Sequence, residues 1–121
     1  MNLKAFNKFC KSLPSAKYSI QWRGSHVWKI GGKVFAIGLW NNAKYPGITL
    51  KVSKITFECL KNEPGIRPAP YLASRGMSWL QFFNKEIISN DVLKVHLNQS
   101  YSLVSQSLSK KRQRELGIYN Q

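Results

Sequence analysis

Apolar residues at Leu3, Phe6, Phe9 or Cys10, and Leu13 recur every three or four positions, with Lys4, Lys8 and Lys11 between them. That spacing predicts an amphipathic helix. Pro14 ends it, because proline disfavours helical backbone in the residue before it. The period then shifts from helical to alternating. Residues 27–30 and 33–40 are β-prone runs separated by Gly31-Gly32, and paired glycines supply the positive φ angles of a tight hairpin. Phe35, Ile37 and Leu39 are expected to share one face of the second strand. A shorter strand is expected over residues 19–22, and residues 41–47 read as a turn, punctuated by Asn41-Asn42 and Pro46-Gly47. Ile48, Leu50 and Val52 then alternate with Thr49 and Lys51, the pattern of a half-buried strand with a polar outer face.

Ser53 is placed to cap a short helix reaching about Leu60, with Ile55, Cys59 and Leu60 as its buried candidates. Residues 63–70 contain three prolines and are expected to form a loop. Residues 78–82 read as the last strand. Ser89 starts a long helix with Asp91 near its positive end. Leu93, Leu97, Tyr101, Val104 and Leu108 give that helix a continuous apolar stripe, which must lie on the sheet. The expected fold class is therefore α+β. It is a two-layer sandwich of an antiparallel sheet with an N-terminal and a long C-terminal helix, the other sheet face left open. One domain is expected over residues 1–121, with a basic C-terminal segment at 109–121.

Charge changes this picture more than composition does. The 121 residues are 43% hydrophobic, which suits a packed interior, but 19 Lys and Arg stand against 5 Asp and Glu, for a net charge of +14. Residues 1–60 hold 10 of the cations and residues 61–121 hold 9. Removing Lys110, Lys111, Arg112 and Arg114 would still leave +10, so the excess belongs to the folded body. Such a body attracts polyanions and gains free energy by releasing their counterions. Cys10 and Cys59 lack the spacing of a zinc site and read as buried free thiols of a reducing compartment. No run approaches the roughly 20 apolar residues of a membrane span, and residues 1–13 do not read as a signal peptide. A soluble, cytoplasmic protein is expected.

Five segments, in order, resemble the YjbR/MmcQ family. Phe9-Cys10-Lys11-Ser12-Leu13-Pro14 is similar to its opening helix, and Lys29-Ile30-Gly31-Gly32-Lys33-Val34-Phe35-Ala36 to its glycine hairpin. Leu50-Lys51-Val52 before a short helix is the third. Pro64-Gly65-Ile66-Arg67-Pro68-Ala69-Pro70-Tyr71-Leu72 with Trp79 resembles the family's loop and strand. Tyr101-Ser102-Leu103-Val104 with Leu108-Ser109-Lys110-Lys111 resembles its closing helix and basic tail. The resemblance implies a fold similar to CyaY and to secretion chaperones. It also implies a role in DNA binding, described for the family as a double wing. The chain departs from the family pattern at Ser78, where a basic residue or histidine often precedes the tryptophan, and in a longer stretch from Tyr71 to Trp79.

Reactive groups are sparse. His26 and His96 are the histidines, and Glu58, Glu63, Glu86, Asp91 and Glu115 are the acids. No nucleophile motif, zinc-helix motif or phosphate-binding glycine loop occurs, so no catalytic residue, cofactor or metal is expected. Five scattered acids on a body of +14 would not hold a hard cation. Nucleic acid, DNA first, is the expected partner. Its expected contacts are Lys29 and Lys33 on the hairpin, Lys51 on the open face, Arg67 and Arg75 in the proline-rich region, and the run Lys110, Lys111 and Arg112. Trp22, Trp28, Trp40 and Trp79 could offer stacking surfaces, and Trp79 is assigned that role. The alternative is a protein-interaction or chaperone-like module that takes an acidic or peptide partner.

Overall fold

Asn2 opens the first helix, α1 (Leu3–Lys11), by accepting a hydrogen bond on Oδ1 from the Ala5 amide at 2.8 Å. That bond satisfies one of the donors a helix start leaves unpaired. The computed structural model describes residues 1–22, 24–40 and 45–119. After α1 come β1 (Lys17–Gln21), β2 (Ser25–Ile30), β3 (Lys33–Leu39) and β4 (Gly47–Lys51). The chain continues through α2 (Lys54–Leu60), β5 (Ile66–Pro68), β6 (Trp79–Phe82), α3 (Asn90–Gln106) and α4 (Lys110–Glu115). The strands form one antiparallel sheet in the order β1-β2-β3-β4-β6-β5. Of the turn expected over residues 41–47, Asn41, Asn42, Ala43 and Lys44 lie outside the described residues.

Cross-strand partners share a face, so the register sorts the side chains. Tyr18, Trp28, Ala36, Leu50, Leu80 and Pro68 form one row across all six strands. Ile20, His26, Gly38, Ile48, Phe82 and Ile66 form the next. These rows face the helices. From α1, Phe6 packs on Trp40 with ring centroids 5.4 Å apart, and Asn7 accepts from the Trp28 indole at 2.9 Å. Gly38 leaves room for that stack, since a Cβ there would meet both Trp40 and Phe6. From α3, Leu93, Leu97, Tyr101 and Val104 join the same core, which Phe57 and Leu60 of α2 extend. Ser19, Val27, Ile37, Thr49, Gln81 and Arg67 form the central row of the opposite face, on which Val27, Thr49 and Gln81 are themselves buried.

The two-layer α+β architecture is the one the pattern predicts, but four local expectations change. Phe35 does not share a face with Ile37 and Leu39. Trp28 pairs with Ala36 while Lys29 pairs with Val34, so Phe35 is the extra residue of a bulge. It turns to the helix side, where it meets Tyr101 edge-on. Ile55 and Cys59 are exposed, Ile55 by 78%, because α2 rests on Phe57 and Leu60 instead. Residues 63–70 are not wholly loop, since Ile66–Pro68 pairs with β6 as an edge strand. Proline is tolerated there because an edge strand has ladder partners on one side only. Finally, the second sheet face is not left open and Thr49 is not on a polar outer side, since Val27, Thr49, Gln81 and Trp79 are all buried there. The basic segment forms a helix of its own. Ser107–Ser109 breaks the helix and Ser109 caps α4, its Oγ accepting from the Arg112 amide at 3.1 Å.

Candidate nucleic-acid interface

Lysines on β1, β2 and β4 fall on the face opposite the helices because the strand register puts them there. Lys17 and Lys29 are direct cross-strand partners, and Lys29 in turn pairs with Val34. Lys51 pairs with Trp79 on the same face. Beside them lies a groove of about 410 Å³. Val34, Ile37 and Trp79 contribute from the sheet, Trp22 from the β1–β2 turn, and Leu72 and Met77 from the segment before β6. Lys33, Lys51, Val104 and Ser107 complete its lining. None of the five carboxylates lines it. The only ion pair among the described residues joins Lys61 to Glu58 at 2.8 Å, so the groove lysines carry uncompensated charge. A second cavity of the same volume, near Met1 and Trp40, sets Lys85 beside Glu86 and lacks this one-sided charge.

The sequence-derived candidates divide into three groups. Lys33, Lys51 and Trp79 line the groove; Lys29, Lys51 and Trp79 belong to the face opposite the helices, whereas Lys33 pairs with Ile30 on the helix side and reaches the groove from the sheet's end. Arg75 ends the short 3-10 helix Ala73–Arg75, inside the segment whose Leu72 and Met77 form the groove wall. Lys110, Lys111 and Arg112 are exposed on α4, which starts three residues beyond Ser107. Arg67 stands apart. Its Nε donates to Gln81 Oε1 at 2.7 Å and its guanidinium lies 4.3 Å from the Phe83 ring centroid, so it braces β5 against β6.

Two geometric details differ from a projecting wing that ends in a free tip. The β2–β3 turn is docked: a Cβ on Gly31 would lie 2.6 Å from a Leu108 methyl and 3.2 Å from Leu116. Lys33 Nζ donates to Ser107 Oγ at 3.3 Å, which ties the turn to the end of α3. Trp79 is only 6% exposed and forms floor, whereas Trp22 is 59% exposed. Trp22 was the aromatic that pattern reading could not single out. Its only signal is a large apolar residue at the end of a short strand, beside a turn glycine at Gly24.

The reactive side chains lie elsewhere. Burial pushes the Cys10 thiol up to about 12, so it stays protonated and inert near neutrality. Burial also lowers the His96 imidazole below its ordinary value, and its Nδ1 has no hydrogen-bond partner. His26 Nδ1 lies 2.6 Å from the Tyr18 hydroxyl on the helix-facing side of the sheet. Among the described residues no three His, Cys, Asp or Glu side chains gather as a metal cluster. Among the same residues no helix is long and apolar enough to cross a membrane.

This architecture and order of elements have counterparts. A family model described as YjbR matches residues 11–103, from the end of α1 into α3. The chain belongs to the YjbR family. The crystal structure of Deinococcus radiodurans protein DR2400, described by the domain DUF419, is similar with a TM-score of 0.83. It is 21% identical, and the match covers 98% of this chain and 89% of that one. A Pseudomonas syringae protein is similar with a TM-score of 0.69 and 19% identity, over 86% of this chain and 99% of that one. At such identities these likenesses show a shared fold and nothing further. No curated protein matches the chain. The matched YjbR region ends before the basic α4, so the groove falls within it except for Val104 and Ser107.

Proposed function

We propose that this YjbR protein binds nucleic acid, DNA in the first instance, through the lysine-lined groove and the lysines beside it, without catalysis. The observation that carries the reading is the set of uncompensated lysines around a groove floored by apolar and aromatic side chains. Lys29, Lys33 and Lys51 supply phosphate contacts, with Arg75 at the groove wall and Lys110, Lys111 and Arg112 beyond its end. Arg67, held by Gln81, is left out of the contact set. Phosphate contacts of this kind fix position and carry no base sequence. The groove's polar side chains are Lys33, Lys51 and Ser107 together with the two indoles, a set suited to holding an anion. Cellular nucleic acid would be met in the cytoplasm.

Fluorescence anisotropy with labelled DNA across a series of salt concentrations tests the proposal. Four phosphate contacts give a log–log slope of roughly −3 to −4. Changing Lys29, Lys33 and Lys51 together to Glu should abolish binding. A triple variant that binds like the wild type would remove these lysines from the account. The alternative is a groove that holds a protein segment by its apolar floor. Binding would then be nearly independent of salt, with a negative heat-capacity change.

A further inference from the structure

A duplex keeps its bases paired and stacked inside, whereas an unpaired base is free to lie against an aromatic ring. Resting on the nucleic-acid reading above, we infer that the groove beside Trp22 takes single-stranded nucleic acid. An unpaired base lies against Trp22, and Lys33 and Lys51 hold the neighbouring phosphates.

Trp22 lines the groove and is nevertheless 59% exposed, the combination that a stacking platform requires. Its backbone sits at φ +46°, a left-handed conformation that bulky residues rarely adopt. Ser25 Oγ donates to the Trp22 carbonyl at 3.1 Å and fixes that corner. Leu72 and Met77 also line the groove, making it a slot with apolar sides. Its volume of about 410 Å³ falls in the range of roughly 300–1,000 Å³ that suits ligands of small-molecule size, such as a base with its sugar. Lys33 and Lys51 share the lining, and no carboxylate does, so the slot is charged for phosphate and not for a cation.

The same face is poorly built for a duplex. Reading the major groove takes a helix or a two-stranded ribbon. Here α1 and the body of α3 pack on the other side of the sheet, through Asn7 to Trp28 and through Ser100 to Phe35, and only Val104 and the cap Ser107 of α3 reach the groove. The β2–β3 ribbon, whose turn packs on Leu108 and Leu116, does not project.

The test compares four labelled probes on the full chain: oligo-dT, its duplex with oligo-dA, an abasic deoxyribose-phosphate strand, and oligo-glutamate. Oligo-dT should bind more tightly than the other three. Trp22→Ala should weaken oligo-dT by roughly 5- to 150-fold, the effect of losing one stacked base, and leave the abasic strand unaffected. Because no charge is changed, the salt slope should stay the same, and Trp22→Phe should recover much of the affinity. Far-ultraviolet circular dichroism identifies any variant that fails to fold, and Trp22→Phe then decides the point alone through its smaller ring. Equal or tighter binding of the duplex, equal binding of the abasic strand, or no loss in Trp22→Ala overturns the single-strand inference and leaves the broader reading standing. Oligo-glutamate matching oligo-dT, or no probe binding, overturns both.

Discussion

Ser100 sits in the middle of α3, fully buried, and does the work of a linker between layers. Its hydroxyl donates to the Phe35 carbonyl at 2.6 Å and accepts from the Lys51 amide at 2.9 Å. Both partners are irregular points of the sheet, one at the β3 bulge and one at the end of β4, where ladder pairing lapses. Removing a hydroxyl there leaves a buried carbonyl and amide unpaired, at a cost of about 1–3 kcal/mol. Ser100→Ala should therefore lower the urea midpoint by that amount of stability with an unchanged slope, whereas Ser102→Ala, on the exposed side of α3, should be neutral. The role was not legible beforehand. A serine in a helix reads as a surface residue, and its partners become visible only once Phe35 has left the strand alternation. Cys10 and Cys59 make the same point in reverse. Similar apolar neighbours suggested burial for both, yet only Cys10 faces the sheet.

Among the elements, those with long periodic signals were legible and those set by tertiary pairing were not. The stripe from Leu93 to Leu108 gave α3, and the paired glycines gave the β2–β3 turn. The bulge at Phe35 has no local signature, because the phase of β3 is set by what β2 and α3 offer it. For α2, seven residues contain apolar side chains on more than one side, and the sheet edge rather than the sequence selects Phe57 over Ile55. The docked β2–β3 turn has a direct test in its two glycines. Both have positive φ, +59° at Gly31 and +83° at Gly32, so alanine is strained at either by about 1–2 kcal/mol. Only Gly31 also abuts Leu108 and Leu116, while Gly32 faces open space. Gly31→Ala should destabilise the fold more than Gly32→Ala in thermal unfolding, and should raise amide exchange in α4. Equal effects would mean that α4 does not depend on this turn.

At the scale of the whole molecule, the net charge of +14 was readable at once and its arrangement was not. Lys17, Lys29 and Lys51 are far apart in sequence and become neighbours through antiparallel register. The alternation from Ile48 to Val52 already set Lys51 on the face opposite the core, but the position of Trp22 at the groove and the bracing of Arg67 by Gln81 required the fold. The charge is not confined to the groove, since Lys4, Lys8 and Lys11 expose a second basic stripe along α1, behind the sheet. These two surfaces are the natural competitors for a polyanion, and only one of them has an aromatic slot. Chemical-shift mapping of the isotope-labelled chain on titration with oligo-dT separates them. The account predicts the largest changes at the Trp22 indole and at the amides of Lys33, Val34, Lys51 and Met77. Changes centred on Lys4, Lys8 and Lys11, with the Trp22 indole unmoved, would contradict it.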